Sequence, residues 1–151
     1  MTRRRAMLGL LCVLALGAAC RKRAEQAVSR EDAINIPRDV ALQKLRDLLP
    51  TADGAACTAP KDSYKAAEVK EWGVDADVLR IVPVKEKDPV FQVAYADVTQ
   101  VRLDKIGKVF QVRLFAKPQA DPAKDFLSFT WRNEEAAKQA VELLETLRLK
   151  K

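Results

Sequence analysis

Three cysteines, no histidine and scattered carboxylates set the chemistry open to this chain. A cysteine serves as nucleophile, metal ligand, disulfide partner or acylation site, and the first role needs a neighbouring base or cation to hold the thiolate. With no histidine, Cys57 lacks the usual base, and the sequence offers no metal-ligand cluster and no phosphate-cradling glycine loop. Paired acids occur at Asp75 with Asp77 and at Glu134 with Glu135, where a turn and a helix start account for them. The residues therefore predict no catalytic group, no cofactor and no metal, and a protein that is not an enzyme.

The first two cysteines separate by their surroundings. Arg3, Arg4 and Arg5 precede Ala6 to Ala19, an uncharged run shorter than the roughly 20 residues of a bilayer-spanning helix. A basic head, a short apolar core and small residues before a cut form the pattern of a cleaved export signal. Cys12 follows Leu10 and Leu11, which are too bulky for a signal-peptidase pocket. Cys20 ends the run after Leu16-Gly17-Ala18-Ala19 and meets Arg21, Lys22 and Arg23.

That stretch resembles the bacterial lipoprotein signal with its lipobox, whose cysteine is acylated and becomes the first residue of the mature protein. The resemblance implies lipidation at Cys20, although Leu16 stands one place before the family's preferred position and Gly17 occupies it. Two or more acyl chains anchor stably where one does not, and the basic triplet adds attraction to anionic headgroups. Arg21 is not the Asp that retains enterobacterial lipoproteins in the inner membrane. The resemblance thus implies a lipid-anchored envelope protein, in the outer membrane ahead of the inner. Arg4 to Leu8 also resembles a twin-arginine signal, so both export routes stay open.

Removing residues 1–19 takes three arginines and no acid, which lowers the formal net charge from +6 to +3. That balance and the envelope compartment exclude nucleic acid as a partner. Residues 20–36 are expected to be a tether, and 37–151 a single domain large enough for its own core. Cys57 is then the only thiol left for this domain, and it is expected to be buried and inert in a loop between Thr51 and Pro60.

Hydrophobic spacing predicts a short helix between Pro37 and Pro50, with Val40, Ala41, Leu45, Leu48 and Leu49 on one face. From Tyr64 the period shortens to that of strands: Tyr64–Trp72, Val78–Val84, Val90–Tyr95, a strand from Val98, then a Gly107 hairpin into the "VFQVRLFA" strand. In "FLSFTW", Leu127, Phe129 and Trp131 share one face. Asn133 caps a last helix whose stripe is Ala136, Ala137, Ala140, Val141, Leu144 and Leu147. The expected fold is α+β: a small antiparallel sheet of about six strands, or a partly open barrel, closed by the C-terminal helix and preceded by a short N-terminal one.

The stretch from Val93 to Ala116 and that from Phe126 to Leu147 together resemble the second half of a pleckstrin-homology-like domain, in its divergent bacterial branch. The likeness implies a barrel closed at one end by a helix. Trp131 precedes that helix rather than lying in it, and phosphoinositide binding does not carry over. Lys85, Lys87, Lys105 and Lys108 read as turn solvation, and Trp72 and Trp131 as core or rim packing. Two functions follow as expectations. One is a membrane-anchored, non-catalytic interaction or scaffold domain for an unidentified envelope protein. The alternative is a small-ligand or lipid-binding domain with a cavity between sheet and helix.

The anchor gives a direct test. Mass spectrometry of the membrane fraction should find a mature N-terminal peptide that begins at Cys20 and carries acyl mass. Cys20→Ser should leave an uncut precursor, and Cys12→Ser should change nothing. An unlipidated wild-type N-terminus elsewhere would remove the anchor.

Overall fold

A computed structural model describes residues 35–58, 61–117 and 125–150, so Cys12, Cys20 and most of the expected tether lie outside the described residues. Helix α1 (Arg38–Leu48) runs into a 3-10 turn at Leu49–Thr51. Strands β1 (Gly54–Thr58) and β2 (Lys61–Lys65) follow, then a 3-10 turn at Ala66–Glu68. Next come β3 (Val69–Val74), β4 (Val78–Pro83), β5 (Phe91–Ala94) and a third 3-10 turn at Tyr95–Asp97. Strands β6 (Val98–Ile106), β7 (Val109–Ala116) and β8 (Leu127–Trp131) lead to helix α2 (Glu134–Leu149).

All strand pairs are antiparallel, in one sheet ordered β2-β1-β8-β7-β6 and another ordered β3-β4-β5. The fold is α+β, with two antiparallel sheets, an N-terminal helix and a C-terminal helix. Because the first strand pairs with the last, the strand order is circular, broken at β2/β3 and at β5/β6. Each break is crossed by a three-residue 3-10 turn, and the sheet does not close into a barrel. Two sheets with a closing C-terminal helix agree in layout with the expected fold.

Several local expectations change. The segment around Cys57 is strand β1 rather than a loop, paired on one side with β2 and on the other with β8. Its Gly and Ala residues have low strand propensity, but double-sided pairing and burial override it. Tyr64–Trp72 is not one strand; the Ala66–Glu68 turn splits it, and the described residues hold eight strands rather than six. Pro50 does not end the first helical segment but sits inside its terminal 3-10 turn, where a proline needs no intrahelical donor. The buried face of α1 is Ala41, Leu42 and Leu45, continued by Leu49, whereas Val40 is 37% exposed and Leu48 only half-buried.

The C-terminal reading holds. Asn133 accepts from Glu135 N–H at 2.9 Å and Ala136 N–H at 3.2 Å, which satisfies two of the orphan donors at a helix start. Leu143, Leu144 and Leu147 pack with Phe129 and Trp131 in one buried cluster. At the β6–β7 hairpin Gly107 has φ +61°, a left-handed conformation that a two-residue hairpin turn demands and glycine meets without strain.

Arg38 joins the two ends of the domain. Its guanidinium donates to the Leu147 carbonyl at 3.0 Å and to the Lys150 carbonyl. It also donates to the Ala76 carbonyl at 2.6 Å and the Asp77 carboxylate at 3.3 Å, on the β3–β4 turn. The Lys150 ammonium donates to the Ile36 carbonyl. The start of α1, the end of α2 and the β3–β4 turn thus share one pole. Backbone bonds from Ala66 to Asp53 and from Val84 to Glu68, each 3.0 Å or less, tie the turns at the other pole.

Leu144→Ala should destabilise the domain by about 2–5 kcal/mol, the usual cost of truncating a fully buried leucine. Urea unfolding checks it, and a change within error would contradict this packing.

Candidate functional site

The space between the five-stranded sheet and α2 is filled. Leu114, Leu127, Phe129 and Leu143 are fully buried, and Leu144 and Trp131 nearly so. Phe129 lies between Trp131 at 6.1 Å and the half-buried Trp72 at 6.2 Å, both tilted as aromatic pairs prefer. Both tryptophans pack, as expected. Trp131 Nε1–H donates to Thr51 Oγ1 at 3.0 Å, which ties the α1–β1 connection to the last strand.

The outer face of the same sheet is built differently. Register places Ser63, Ala56, Ser128, Arg113 and Arg102 in one row across five strands, and Lys65, Gly54, Thr130, Gln111 and Asp104 in the next. Apart from Lys65, small residues occupy the β2-β1-β8 end of both rows, and there the surface sinks into a hollow of about 340 Å³. Gly54 and Ala56 form its floor, with Ser63, Ser128 and Thr130 beside them and Lys65, Glu68 and Asp53 at its rim. A Cβ on Gly54 would lie 2.6 Å from the Tyr64 carbonyl oxygen, so β1 and β2 approach closely only because this residue is glycine. Ser128 is buried although it faces outward; its hydroxyl accepts from Gln111 Nε2 at 3.2 Å.

The β6–β7 end of the rows is charged but internally balanced. Arg113 donates to Asp104 at 3.1 Å and Asp125 at 3.3 Å, and Arg102 donates to Asp104 at 3.1 Å. Both guanidiniums flank the Phe115 ring, at 5.1 Å and 5.3 Å from its centre. Burial pulls the Arg113 pKa down, but the bonds to Asp104 and Asp125 outweigh it and leave the group above its ordinary value. Two cations facing two anions leave no surplus charge to attract an ionic ligand.

A second hollow, of about 330 Å³, lies at the β2/β3 break beside Tyr64, Asp62, Glu68 and Val84. The Tyr64 hydroxyl donates to Asp62 Oδ2 at 3.2 Å, and its ring stands 5.4 Å from Phe91. Burial, then the charge and hydrogen bond of Asp62, push its pKa up from 10.0 to about 12.

Of the residues singled out in the sequence, Cys20 lies outside the described residues. Asp75 binds Arg80 at 2.8 Å, Asp77 binds Arg38, and Glu134 and Glu135 bind Lys138 at 3.0 Å and 3.2 Å. These pairs hold turns and a helix start and do not converge. Cys57 is buried, and its thiol donates to the Phe126 carbonyl at 2.8 Å. Lys85, Lys87 and Lys108 are exposed on turns, and Lys105 stands over the Phe110 ring at 5.4 Å. Among the described residues, no three Cys, His, Asp or Glu side chains group to hold a metal, and no helix is long and apolar enough to cross a membrane. The hollow over Gly54 and Ala56 has no local signal in the sequence, because only the register of β1 relates Ser63 to Ser128.

No protein-family model, no curated protein and no solved structure matches this chain.

The Tyr64 hydroxyl titrates near 10.0 when unfolded and near 12 when folded. Its stabilising contribution is complete below pH 10 and is lost as pH rises from about 10 through about 12. The urea midpoint should fall over that window, and less steeply in Tyr64→Phe. Tyr95, raised by burial against a smaller opposing effect of Arg38, and Lys138, raised by its bonds to Glu134 and Glu135, contribute to the slope that remains. An equally steep fall in the variant would remove Tyr64 as a contributor.

Proposed function

We propose that this protein is a membrane-anchored, non-catalytic envelope lipoprotein whose folded domain holds another protein of the envelope. The anchor is the lipid on Cys20, in the outer membrane ahead of the inner. The single observation that supports a protein-binding role over an internal ligand site is the packed interior. Phe129, Leu127 and Leu143 fill the space in which a lipid or small molecule would have to lie. The surface relief is instead outward, in the hollow across β2, β1 and β8 and in the one at the β2/β3 break.

The position of the termini suits a tethered domain. The described chain begins beside the end of α2, where Ile36 and Arg38 meet Lys150. A tether from Cys20 then pulls on one pole, and among the described residues nothing covers the other pole or the outer sheet face, which are left for a partner.

Native mass spectrometry of the full-length lipoprotein from membranes, combined with photo-crosslinkers at Ser63 and Gln111, tests the reading. The expected result is one discrete crosslinked envelope protein from lipidated chain, no such product from Cys20→Ser, and no stoichiometric non-covalent lipid. A bound lipid or metabolite at one per chain, without a crosslinked protein, would overturn it for the cavity function.

A further inference from the structure

Strand edges expose N–H groups, and both edges of the five-stranded sheet meet that problem with carboxylates. At the β6 edge, the Val101 N–H donates to Glu145 at 3.2 Å and the Thr99 carbonyl accepts from Arg148 at 3.3 Å. Both side chains come from α2, which packs along that edge and closes it with a whole helix. At the other end of the sheet β2 pairs, among the described residues, only with β1. Its Ser63 N–H donates to Asp62 Oδ1 at 2.7 Å, and its Lys65 N–H to Glu68 Oε2 at 2.8 Å. The latter bond also starts the 3-10 turn that follows.

Ser63 and Lys65 are two residues apart, so their N–H groups lie on one edge, about 6.6 Å apart, the repeat at which a neighbouring strand presents carbonyls. Two carboxylate oxygens stand where those carbonyls would be. Unlike Glu145, they belong to an exposed turn and to β2 itself. The hollow of about 330 Å³ opens beside them. It holds three carboxylates, Asp62, Glu68 and Asp88, against Lys85, and its wall includes Val84, which is 53% exposed. This end of β2 lies at the pole away from the point where the tether enters.

From this geometry we infer that the free edge of β2 is a docking site for an extended, basic segment of the partner protein, which adds as a further strand. The proposal rests on the interaction-domain reading and names its surface. On docking, the segment's carbonyls take the Ser63 and Lys65 N–H groups. Asp62 and Glu68 turn to the Lys or Arg side chains that alternate residues of the segment bring into the hollow beside Asp88. Every donor keeps a partner, and each carboxylate exchanges an amide for a charged donor, the stronger bond. The three carboxylates that line this hollow against Lys85 alone favour basic side chains there over acidic ones, while Lys65 of β2 lines the other hollow, over Gly54.

The test uses the full-length chain in neutral detergent micelles, amide NMR, and two capped octapeptides, alternating Lys-Thr and alternating Glu-Thr. The Lys-Thr peptide should produce saturable shifts centred on the Ser63 and Lys65 amides, and the Glu-Thr peptide none. Asp62→Asn with Glu68→Gln should weaken Lys-Thr binding about tenfold, as expected for losing a charge-assisted contact. Ser63→Pro, which deletes an edge donor without touching the β1 ladder, should abolish it while the remaining spectrum reports an intact fold. Unmoved Ser63 and Lys65 amides at millimolar peptide overturn the proposal. Shifts centred on Gly54 and Ser128 overturn the edge site and leave the interaction reading standing. A concentration-dependent dimer joined through β2 overturns the partner segment in favour of a second copy of this chain.

Discussion

Strand β1 has to fit between β2 and β8, and most of the architecture depends on that. Pairing the first strand with the last turns a simple succession of antiparallel strands into a circular order. The pairing works because β1 is slim: Gly54 admits the Tyr64 carbonyl, and Ala55 and Ala56 demand little room on either face. The same slimness produces the outer hollow, since Gly54 and Ala56 stand on the outer face between the side chains of β2 and β8. Cys57 is buried for the same reason, on the inner face between its register partners Asp62 and Leu127.

A circular order that stays open has edges, and the chain treats them unequally. Helix α2 contributes its buried stripe to the core and its Glu145 and Arg148 to the β6 edge, so one element both fills the interior and closes a seam. Nothing of that size covers β2 among the described residues, and its donors are held by two local carboxylates. The contrast is one of exchangeability: withdrawing Glu145 means moving a packed helix, whereas Glu68 rotates from an exposed turn.

The charged end of the outer face contributes order rather than recognition. Arg102, Arg113, Asp104 and Asp125 neutralise one another around Phe115, a ring buried outside the main core. Such a network fixes the register of β6 and β7 and the approach to β8. At the pole where α1 begins and α2 ends, Arg38 acts similarly, spending its donors on three carbonyls and one carboxylate to hold both ends of the domain together.

Elements with local signals are legible from the residues alone. A polar cap followed by a stripe of apolar residues at helical spacing specifies α2 from Asn133 onward. Strict alternation specifies β7 and β8, and Gly107 between Ile106 and Lys108 specifies the β6–β7 hairpin turn. Other features arise from pairing between distant residues and have no local signal. Gly54-Ala55-Ala56-Cys57 carries no strand propensity of its own and becomes a strand through partners more than 65 residues away in β8 as well as through β2. The break of Tyr64–Trp72 at Ala66, and with it the free edge at Ser63 and Lys65, follows from β2 and β3 belonging to different sheets, a choice that no window of local sequence contains.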